Sequence, residues 1–116
     1  MPTDTIWLTL PDIAERLNVP VTRVREYVRD RDLVAVRRGE NNALHVPASF
    51  LLDGEEGVAL IPTLRGTVFV LADAGFTDDE VVEWLLAPNE ELKETPIEAL
   101  RSGKRAPVRR AALAAF

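Results

Sequence analysis

Two short helical patterns followed by two short strand patterns fill residues 10–47 of the chain. Apolar residues of the first pattern share one helix face: Ile13, Ala14 and Leu17. Ahead of them, Thr9 and Asp12 stand three apart as in a capping box, and Pro11 suits an early helical position. The spacing therefore predicts a short helix that begins just after Thr9.

A second helix is predicted from Val21 to Asp30, after a turn at Asn18, a residue type that tolerates the left-handed conformation. One face of this helix is apolar: Val21, Val24 and Val28, with Tyr27 beside them. The opposite face is polar: Thr22, Arg23, Arg25, Glu26 and Arg29. An amphipathic helix of this kind packs against the first helix and presents its arginines to solvent.

Residues 34–37 and 43–46 are two alternating runs on either side of the turn-rich segment 39–42. This pattern predicts a β-hairpin, or wing. Helix, turn, helix and wing together indicate a winged helix-turn-helix. We expect residues 47–52 to form a short closing helix and residues 53–57, rich in glycine and acids, to form a linker.

The chain beyond residue 58 carries four helical patterns. The first ends at Gly75 and the last spans residues 107–116, while the two between them begin at the threonine caps Thr77 and Thr95. We therefore expect a mainly α protein with a small β-hairpin wing. Its winged helix-turn-helix would span about 6–52 and its C-terminal helical domain about 58–116.

The chain has 116 residues and a formal net charge of −5, which by itself argues against nucleic acid as a partner. The distribution is uneven, because seven arginines stand against three acids between residues 16 and 38. Residues 51–98 hold twelve acids against two bases, and residues 99–116 hold five bases and no acid. Binding depends on the field at the contact face rather than on the total charge. The pattern predicts a basic N-terminal face with modest affinity for DNA.

Several classes of function are disfavoured. The chain has no cysteine, and its one histidine, His45, has no Ser-His-acid or metal-ligand arrangement around it. The acids at 78–80 start a helix, where they complement its dipole. We expect no enzyme activity, no metal and no cofactor. The N-terminus lacks a signal-peptide pattern, and no stretch approaches the roughly 20 apolar residues of a membrane span, so we expect a cytoplasmic protein.

The second helix and the wing supply the candidate DNA-binding residues: Thr22, Arg23, Arg25, Arg29, Arg37, Arg38, Asn41 and Asn42. Arg23 suits bidentate bonding to guanine, and Thr22 suits a phosphate or a thymine methyl. Arg25 and Arg29 suit phosphates or flanking bases, and the wing suits the neighbouring backbone or minor groove. We expect the guanidinium groups of this set to converge on one exposed ridge. The alternative is a solvated helix whose arginines pair with nearby acids, such as Arg29 with Asp32.

Residues 12–47 resemble the winged helix of the MerR-like and excisionase-like families. The matching parts are Thr22-Arg23-Val24, residues 32–37 and His45-Val46-Pro47. The whole chain more closely resembles a small actinobacterial family of winged helix-turn-helix DNA-binding proteins with an appended helical domain. The resemblance implies double-stranded DNA as the partner and a role in transcription regulation. Asp32 stands where the pattern usually has glycine, and we expect it to tilt the wing.

Some members of that family are associated with Ser/Thr protein kinases that act on an N-terminal threonine. The corresponding candidates for phosphorylation in this chain are Thr3, Thr5 and Thr9. We expect Thr9 to be engaged in helix capping. A phosphate at Thr3 or Thr5 would add negative charge near the DNA face and weaken binding.

The C-terminal residues 95–116 are similar to the end of the helical toxin-binding domain in certain antitoxins. Two interpretations stay open, a helical cap packed over the winged helix and a surface for self-association or a protein partner. The candidate residues for such a surface are Trp84, Leu85, Leu86, Leu113 and Phe116. The rival function is accordingly a protein-interaction module with a vestigial DNA-binding face.

Overall fold

The computed structural model describes residues 5–115, and this part of the chain contains six α-helices and five β-strands. The helices are α1 Leu10–Leu17, α2 Val21–Arg29, α3 Leu64–Asp73, α4 Asp78–Leu86, α5 Pro96–Arg101 and α6 Arg105–Leu113. The strands are β1 Trp7–Thr9, β2 Val36–Arg38, β3 Ala43–Pro47, β4 Leu51–Gly54 and β5 Gly57–Leu60. The prediction of a mainly α protein with a β-hairpin wing and a helical C-terminal half is confirmed.

Helix α1 begins with the predicted capping box. The Thr9 hydroxyl accepts a hydrogen bond from the backbone N–H of Asp12 at 3.2 Å, and the Asp12 carboxylate accepts one from the N–H of Thr9 at 3.1 Å. Two N–H groups that a helix start leaves without a partner are satisfied in this way. Asn18 ends the helix in the left-handed conformation, with φ of 58°, and turns the chain into α2.

Strands β1, β3 and β2 form an antiparallel sheet in that order. The β2–β3 hairpin is the predicted wing. Strand β1 was not predicted, and it pairs Leu8 with Val46 of β3. Both of these residues are buried. Residues 7–9 are therefore part of the wing sheet.

The predicted linker at residues 53–57 is wrong. Strands β4 and β5 pair across this segment, with Leu51 opposite Leu60, and the segment forms the end of a second β-hairpin. Gly57 has φ of 117°, a value that favours glycine. The predicted closing helix at 47–52 is reduced to one 3-10 turn, after which the chain enters β4.

The four predicted C-terminal helices are present. Thr77 caps α4 by accepting from the N–H of Glu80 at 3.2 Å, and Thr95 caps α5 in the same way. Helix α6 begins somewhat earlier than predicted, at Arg105. Within residues 5–115, none of the helices combines the length and the apolar character that a membrane crossing requires.

One hydrophobic core runs through both halves of the described chain. Ile13 and Val24 contribute from the winged helix, and Leu71 and Leu85 contribute from the C-terminal helices, each with no exposed surface. Phe50 is also fully buried, between the wing and β4. The two halves thus share their core, and the division into domains at about 6–52 and 58–116 stays a prediction.

Arg101 of α5 links the C-terminal helices to the end of the winged helix. Its guanidinium donates hydrogen bonds to the backbone carbonyls of Ser49, at 2.9 Å, and Leu51. Only a quarter of its side chain is exposed. A charged donor that reaches two carbonyls at the start of β4 fixes α5 against that strand.

The C-terminal end of α2 has two further contacts with the C-terminal half. Arg31 lies 3.4 Å from the carboxylate of Asp78, and Arg65 donates to the backbone carbonyl of Asp30 at 2.9 Å. Arg31 itself takes the left-handed conformation, with φ of 68°. The left-handed residue is therefore Arg31, one position before Asp32. The resembled pattern has its glycine at the position of Asp32.

Candidate nucleic-acid interface

All eight predicted DNA-binding side chains lie on the surface: Thr22, Arg23, Arg25, Arg29, Arg37, Arg38, Asn41 and Asn42. Four of them are on α2 and four on the wing, and the core of the winged helix holds these two elements in place through buried residues such as Val24 and Val36. Their mutual arrangement therefore depends on which side of α2 and of the wing each one occupies.

Arg25 and Arg37 line the same concave surface, together with the start of α1. We call this surface the concave face, and its residues are Thr9, Leu10, Pro11, Arg25, Arg37, Ala43 and Leu44. Helix α2, the wing and the first turn of α1 each contribute to it. No acid is among its lining residues, so two guanidinium groups on separate elements dominate its charge.

The side chain of Arg37 is held by the wing itself. Its Nη1 donates to the backbone carbonyl of Asn42 at 3.1 Å. Asn42 sits in the turn with φ of 52°, a left-handed conformation that asparagine tolerates. One donor of the Arg37 guanidinium is used in this way, and a guanidinium has five, so the group is oriented and still has free donors.

Arg38 lies on the other face of the wing. Successive residues of a strand point to opposite faces, and Arg37 and Arg38 are adjacent in β2. The Arg38 guanidinium stacks over the ring of Trp7, 4.1 Å from its centroid. The predicted single ridge of guanidinium groups is therefore wrong for Arg38, which faces β1 and not the concave face.

Arg29 also differs from the expectation. Its Nε lies 3.1 Å from Oδ1 of the neighbouring Asp30, whereas the predicted partner was Asp32. The hydrogen bond raises the pKa of Arg29 and lowers the pKa of the Asp30 carboxyl. Arg29 lines a different concavity, which includes Asp78 at the start of α4. Arg29 thus has one carboxylate partner among the described residues, Asp30, in an exposed pair.

Arg23 keeps most of its guanidinium available. The closest carboxylate oxygen, on Glu26, is 3.7 Å from its Nη1, and 57% of the Arg23 side chain is exposed. Such an exposed pair contributes about 0–1 kcal/mol and exchanges readily for another partner. Thr22, beside it in the first turn of α2, is also exposed.

His45 is half-buried in β3, and its Nδ1 lies 2.8 Å from the backbone carbonyl of Ala43. Strand alternation places His45 on the same face of the sheet as Trp7 and Arg38. The histidine is therefore engaged in the wing, and it is not among the residues that line the concave face.

The threonines named as phosphorylation candidates have different settings. Thr3 lies outside the described residues. Thr5 precedes β1 and is half-buried. Thr9 caps α1 and also lines the concave face, and its two hydrogen bonds with Asp12 lower the pKa of that carboxyl. Among the described candidates, Thr9 is the one that sits beside Arg25 and Arg37.

Two of the five residues of the predicted partner surface belong to the core. Leu85 and Leu86 are buried, so the expectation that they line an interface is wrong. Trp84 is half-buried against the core, and Leu113 is 50% exposed. Phe116 lies outside the described residues.

Two family models match the chain in tandem. Residues 1–51 match the model described as DNA-binding protein Rv2175c, wHTH domain, and residues 61–115 match the Rv2175c C-terminal domain of unknown function. A solved structure, the NMR structure of Rv2175c, has a TM-score of 0.80 and 30% sequence identity, covering 100% of this chain and 85% of that chain. The chain belongs to the Rv2175c family.

A curated relative gives the same family at the level of sequence. The DNA-binding protein Rv2175c of Mycobacterium tuberculosis (strain ATCC 25618 / H37Rv) is 36% identical over 86 residues. The alignment covers 74% of this chain and 56% of that protein, so the chain spans little more than half the length of the curated relative.

The second hairpin joins the two Rv2175c family domains in this chain. The two family models leave residues 52–60 unmatched, and this stretch contains most of β4 and all of β5. Leu51 and Ile61, which flank the stretch, are both buried. In this member of the Rv2175c family, the connection between the two matched regions is therefore a paired β-hairpin anchored in the core at both ends.

Proposed function

We propose that this chain binds double-stranded DNA through α2 and the wing, in the regulation of transcription. The observation that carries the proposal is the concave face, where Arg25 of α2 and Arg37 of β2 lie together beside the start of α1. The relative named DNA-binding protein Rv2175c, and the matching wHTH family model, support the same partner. The likeness to MerR-like and excisionase-like winged helices supports the regulatory role.

The arrangement suits a recognition helix with a supporting first helix. In helix-turn-helix proteins the N-terminal residues of the second helix contact base edges, while the first helix crosses the backbone. Thr22 and Arg23 occupy the first turn of α2, and both are exposed. Arg23 suits the O6 and N7 atoms of guanine, and Thr22 suits a phosphate or a thymine methyl.

Arg25 and Arg37 then act as phosphate contacts on either side of the groove. Phosphate contacts fix the register of a protein on the duplex without reading its sequence. The bond from Arg37 to the carbonyl of Asn42 orients one guanidinium in advance, and Asn41 and Asn42 extend the wing tip towards the neighbouring backbone. Arg29 and Arg38 have weaker roles, because neither lines the concave face; the closest partners of these two residues are Asp30 and the Trp7 ring respectively.

A selection experiment tests this proposal. The full chain is incubated with a random duplex library, bound fragments are recovered, and the mass of the free and bound protein is measured by light scattering in the same buffer. We expect enrichment of a short site with guanine contacts and a salt-dependent affinity. Recovery of no duplex at low salt, where phosphate contacts are strongest, would overturn the proposal.

A Ser/Thr protein kinase is proposed as a second partner, and this proposal rests on the family resemblance. Thr9 lines the concave face with Arg25 and Arg37. A phosphate there carries about −1.5 to −2 charges and three acceptor oxygens, so it would compete with DNA phosphates for these two arginines. The same physical reasoning applies with less force to Thr5, which does not line this face, and Thr3 lies outside the described residues.

The alternative function is a protein-interaction module, and its residual support is exposed apolar surface. Leu113 is 50% exposed and Ile6 is 67% exposed. Self-association through such residues would appear as a concentration-dependent mass in light scattering. If the protein does not bind duplex DNA and its mass doubles, the result would favour this alternative over DNA binding.

A further inference from the structure

A cavity of about 410 Å³ opens between the first turns of α3 and α6, in the C-terminal half of the protein. We call it the α3–α6 cavity. The residues that matter for its chemistry are Pro62, Thr63, Gly66, Thr67, Arg105 and Arg109. Two arginines and two threonines are its polar lining, and no acid lines it.

The two arginines of the cavity have no partner among residues 5–115. Arg105 and Arg109 are one helical turn apart, and neither forms an ion pair or a hydrogen bond with any residue between 5 and 115. Two nearby bases are paired, since Lys104 lies 2.7 Å from Glu94 and Arg101 lies 3.6 Å from Glu98, whereas Arg110 has no partner among residues 5–115. The unpaired cations of this region therefore include the two that face the cavity.

A buried hydroxyl also faces the cavity. Thr67 is only 4% exposed, and its hydroxyl forms no hydrogen bond with the described part of the chain. Among residues 5–115, every fully buried side-chain polar atom has a hydrogen-bond partner. The Thr67 hydroxyl has no such partner in this part of the chain, so it is not fully buried and is accessible from the cavity that it lines. A buried polar group without a protein partner is costly unless a ligand or solvent satisfies it.

Gly66 leaves space in the same wall. It lies inside α3, where glycine destabilises a helix by roughly 0.5–1 kcal/mol relative to alanine. A Cβ at this position would have no heavy atom within 4 Å. Protein packing therefore does not require the glycine, which lines the cavity together with Thr67.

The helix ends at the cavity favour an anion. Helices α3 and α6 have ten and nine residues, and neither has a side-chain cap or an acid in its first turn. Three other helices, α1, α4 and α5, have threonine caps and acids there. Arg105 places a cation at the positive end of α6, which is unfavourable unless a negative group lies close to it.

We propose that the α3–α6 cavity binds the phosphate of a small phosphorylated molecule. Arg105 and Arg109 pair with the phosphate oxygens, and the Thr67 hydroxyl donates a third hydrogen bond. A terminal phosphate has three acceptor oxygens, one for each of these three groups. Because Thr67 is only 4% exposed, a terminal phosphate on a small molecule suits this site better than a phosphate of a duplex backbone, which is flanked on both sides by sugars.

The test is calorimetric titration of the full chain, at low salt, with pyrophosphate and with ADP as probes. Wild type is compared with Arg105→Ala, Arg109→Ala and Thr67→Val. Arg110→Ala is the matched control, because Arg110 is on the same helix, is exposed, has no partner among the described residues and does not line the cavity. Thermal unfolding of each variant verifies that it is folded.

We expect each cavity arginine variant to weaken probe binding by about tenfold or more, as loss of a hydrogen bond to a charged group does. Thr67→Val should weaken it severalfold, and Arg110→Ala should leave it nearly unchanged. The proposal is overturned if neither probe binds at millimolar concentration, or if Arg110→Ala weakens binding as much as the cavity variants.

Titration with duplex DNA tests whether the cavity instead binds a phosphate of the DNA backbone. If Arg105→Ala and Arg109→Ala lower the salt dependence of duplex binding while pyrophosphate binding is unchanged, the cavity contacts the DNA backbone and the proposal is wrong. Duplex binding by wild type that these variants leave intact supports a separate site, and it also keeps this test independent of the function proposed above.

Discussion

The guanidinium of Arg38 lies 4.1 Å from the centroid of the Trp7 ring. This contact joins β2 to β1 across the face of the sheet that lies opposite Arg37. A cation over an indole ring is attracted by the negative face of the ring. Two neighbouring arginines of one strand thus have different tasks, since Arg37 faces the concave face and Arg38 helps to hold the N-terminal strand on the wing.

The pairing of Arg38 with Trp7 predicts a measurable coupling. A double-mutant cycle with Arg38→Ala and Trp7→Leu, followed by urea unfolding, should give a coupling free energy of about 0.5–1 kcal/mol, the range for an exposed cation–π pair. The salt dependence of duplex binding should change less for Arg38→Ala than for Arg37→Ala. A zero coupling energy would show that the stacking adds nothing to stability.

The capping box at the start of α1 predicts a dependence of stability on pH. Hydrogen bonds from Thr9 lower the pKa of Asp12 in the folded protein. A carboxyl with a lowered folded pKa stabilises the protein above its unfolded pKa of about 3.9. This contribution is lost as the pH falls through the folded pKa.

The free energy of unfolding of wild type and Asp12→Asn, measured by urea from pH 7 to pH 3, checks this expectation. The difference between the two proteins should shrink as the pH falls. Thr9→Ala should cost about 0.5–2 kcal/mol at pH 7, as loss of a threonine cap does. A difference between wild type and Asp12→Asn that does not vary with pH would contradict the assigned role of the carboxylate.

Replacement of Arg101, which lies outside the proposed DNA face, should lower the free energy of unfolding by a large amount. Its guanidinium donates to the carbonyls of Ser49 and Leu51. Arg101→Met keeps much of the side-chain volume and leaves those carbonyls without this donor, and hydrogen bonds to charged groups contribute about 1.5–3 kcal/mol each. We expect a loss of stability of at least that size in urea unfolding, and little change for Arg110→Ala. Equal stability of the two variants would mean that the contact does not fix α5 to β4.

A negative charge at Thr9 should weaken DNA binding more than one at Thr5. Thr9 lines the concave face with Arg25 and Arg37, and Thr5 does not. The variants Thr9→Glu and Thr5→Glu, compared by fluorescence anisotropy on one duplex, measure this difference, and Thr9→Gln controls for loss of the cap. If neither glutamate variant changes the affinity, the proposed kinase switch is wrong.

Elements with strong local signals could be predicted from the sequence. The threonine caps at Thr9, Thr77 and Thr95 and the left-handed Asn18 depend on residues within one helical turn. Apolar periodicity located α1, α2 and α3, because a helix buries a stripe that local sequence reveals, and the threonine caps located α4 and α5. The exposure of Thr22, Arg23, Arg25 and Arg29 followed from the same periodicity.

Other features depend on partners that are distant in the sequence. Strand β1 is three residues long and becomes a strand because Leu8 meets Val46 of β3. The glycine-rich and acidic segment at 53–57 has the composition of a linker, and the pairing of Leu51 with Leu60 makes it a hairpin turn. The separation of Arg38 from Arg37 follows from strand alternation, once the bounds of β2 are known.

The central claim is that Arg25 and Arg37 form one phosphate-contacting surface, while Arg23 of α2 reads the bases. The most direct measurement is the duplex affinity as a function of salt for wild type, Arg25→Ala, Arg37→Ala and the control Arg110→Ala. Neutralising one phosphate contact changes the slope of log K against log salt by about 0.9, so we expect that reduction in each of the first two variants and none in the control. In the same assay, Arg23→Ala should cost about 1–3 kcal/mol, mainly on the preferred site. Identical slopes for all four proteins would contradict the account.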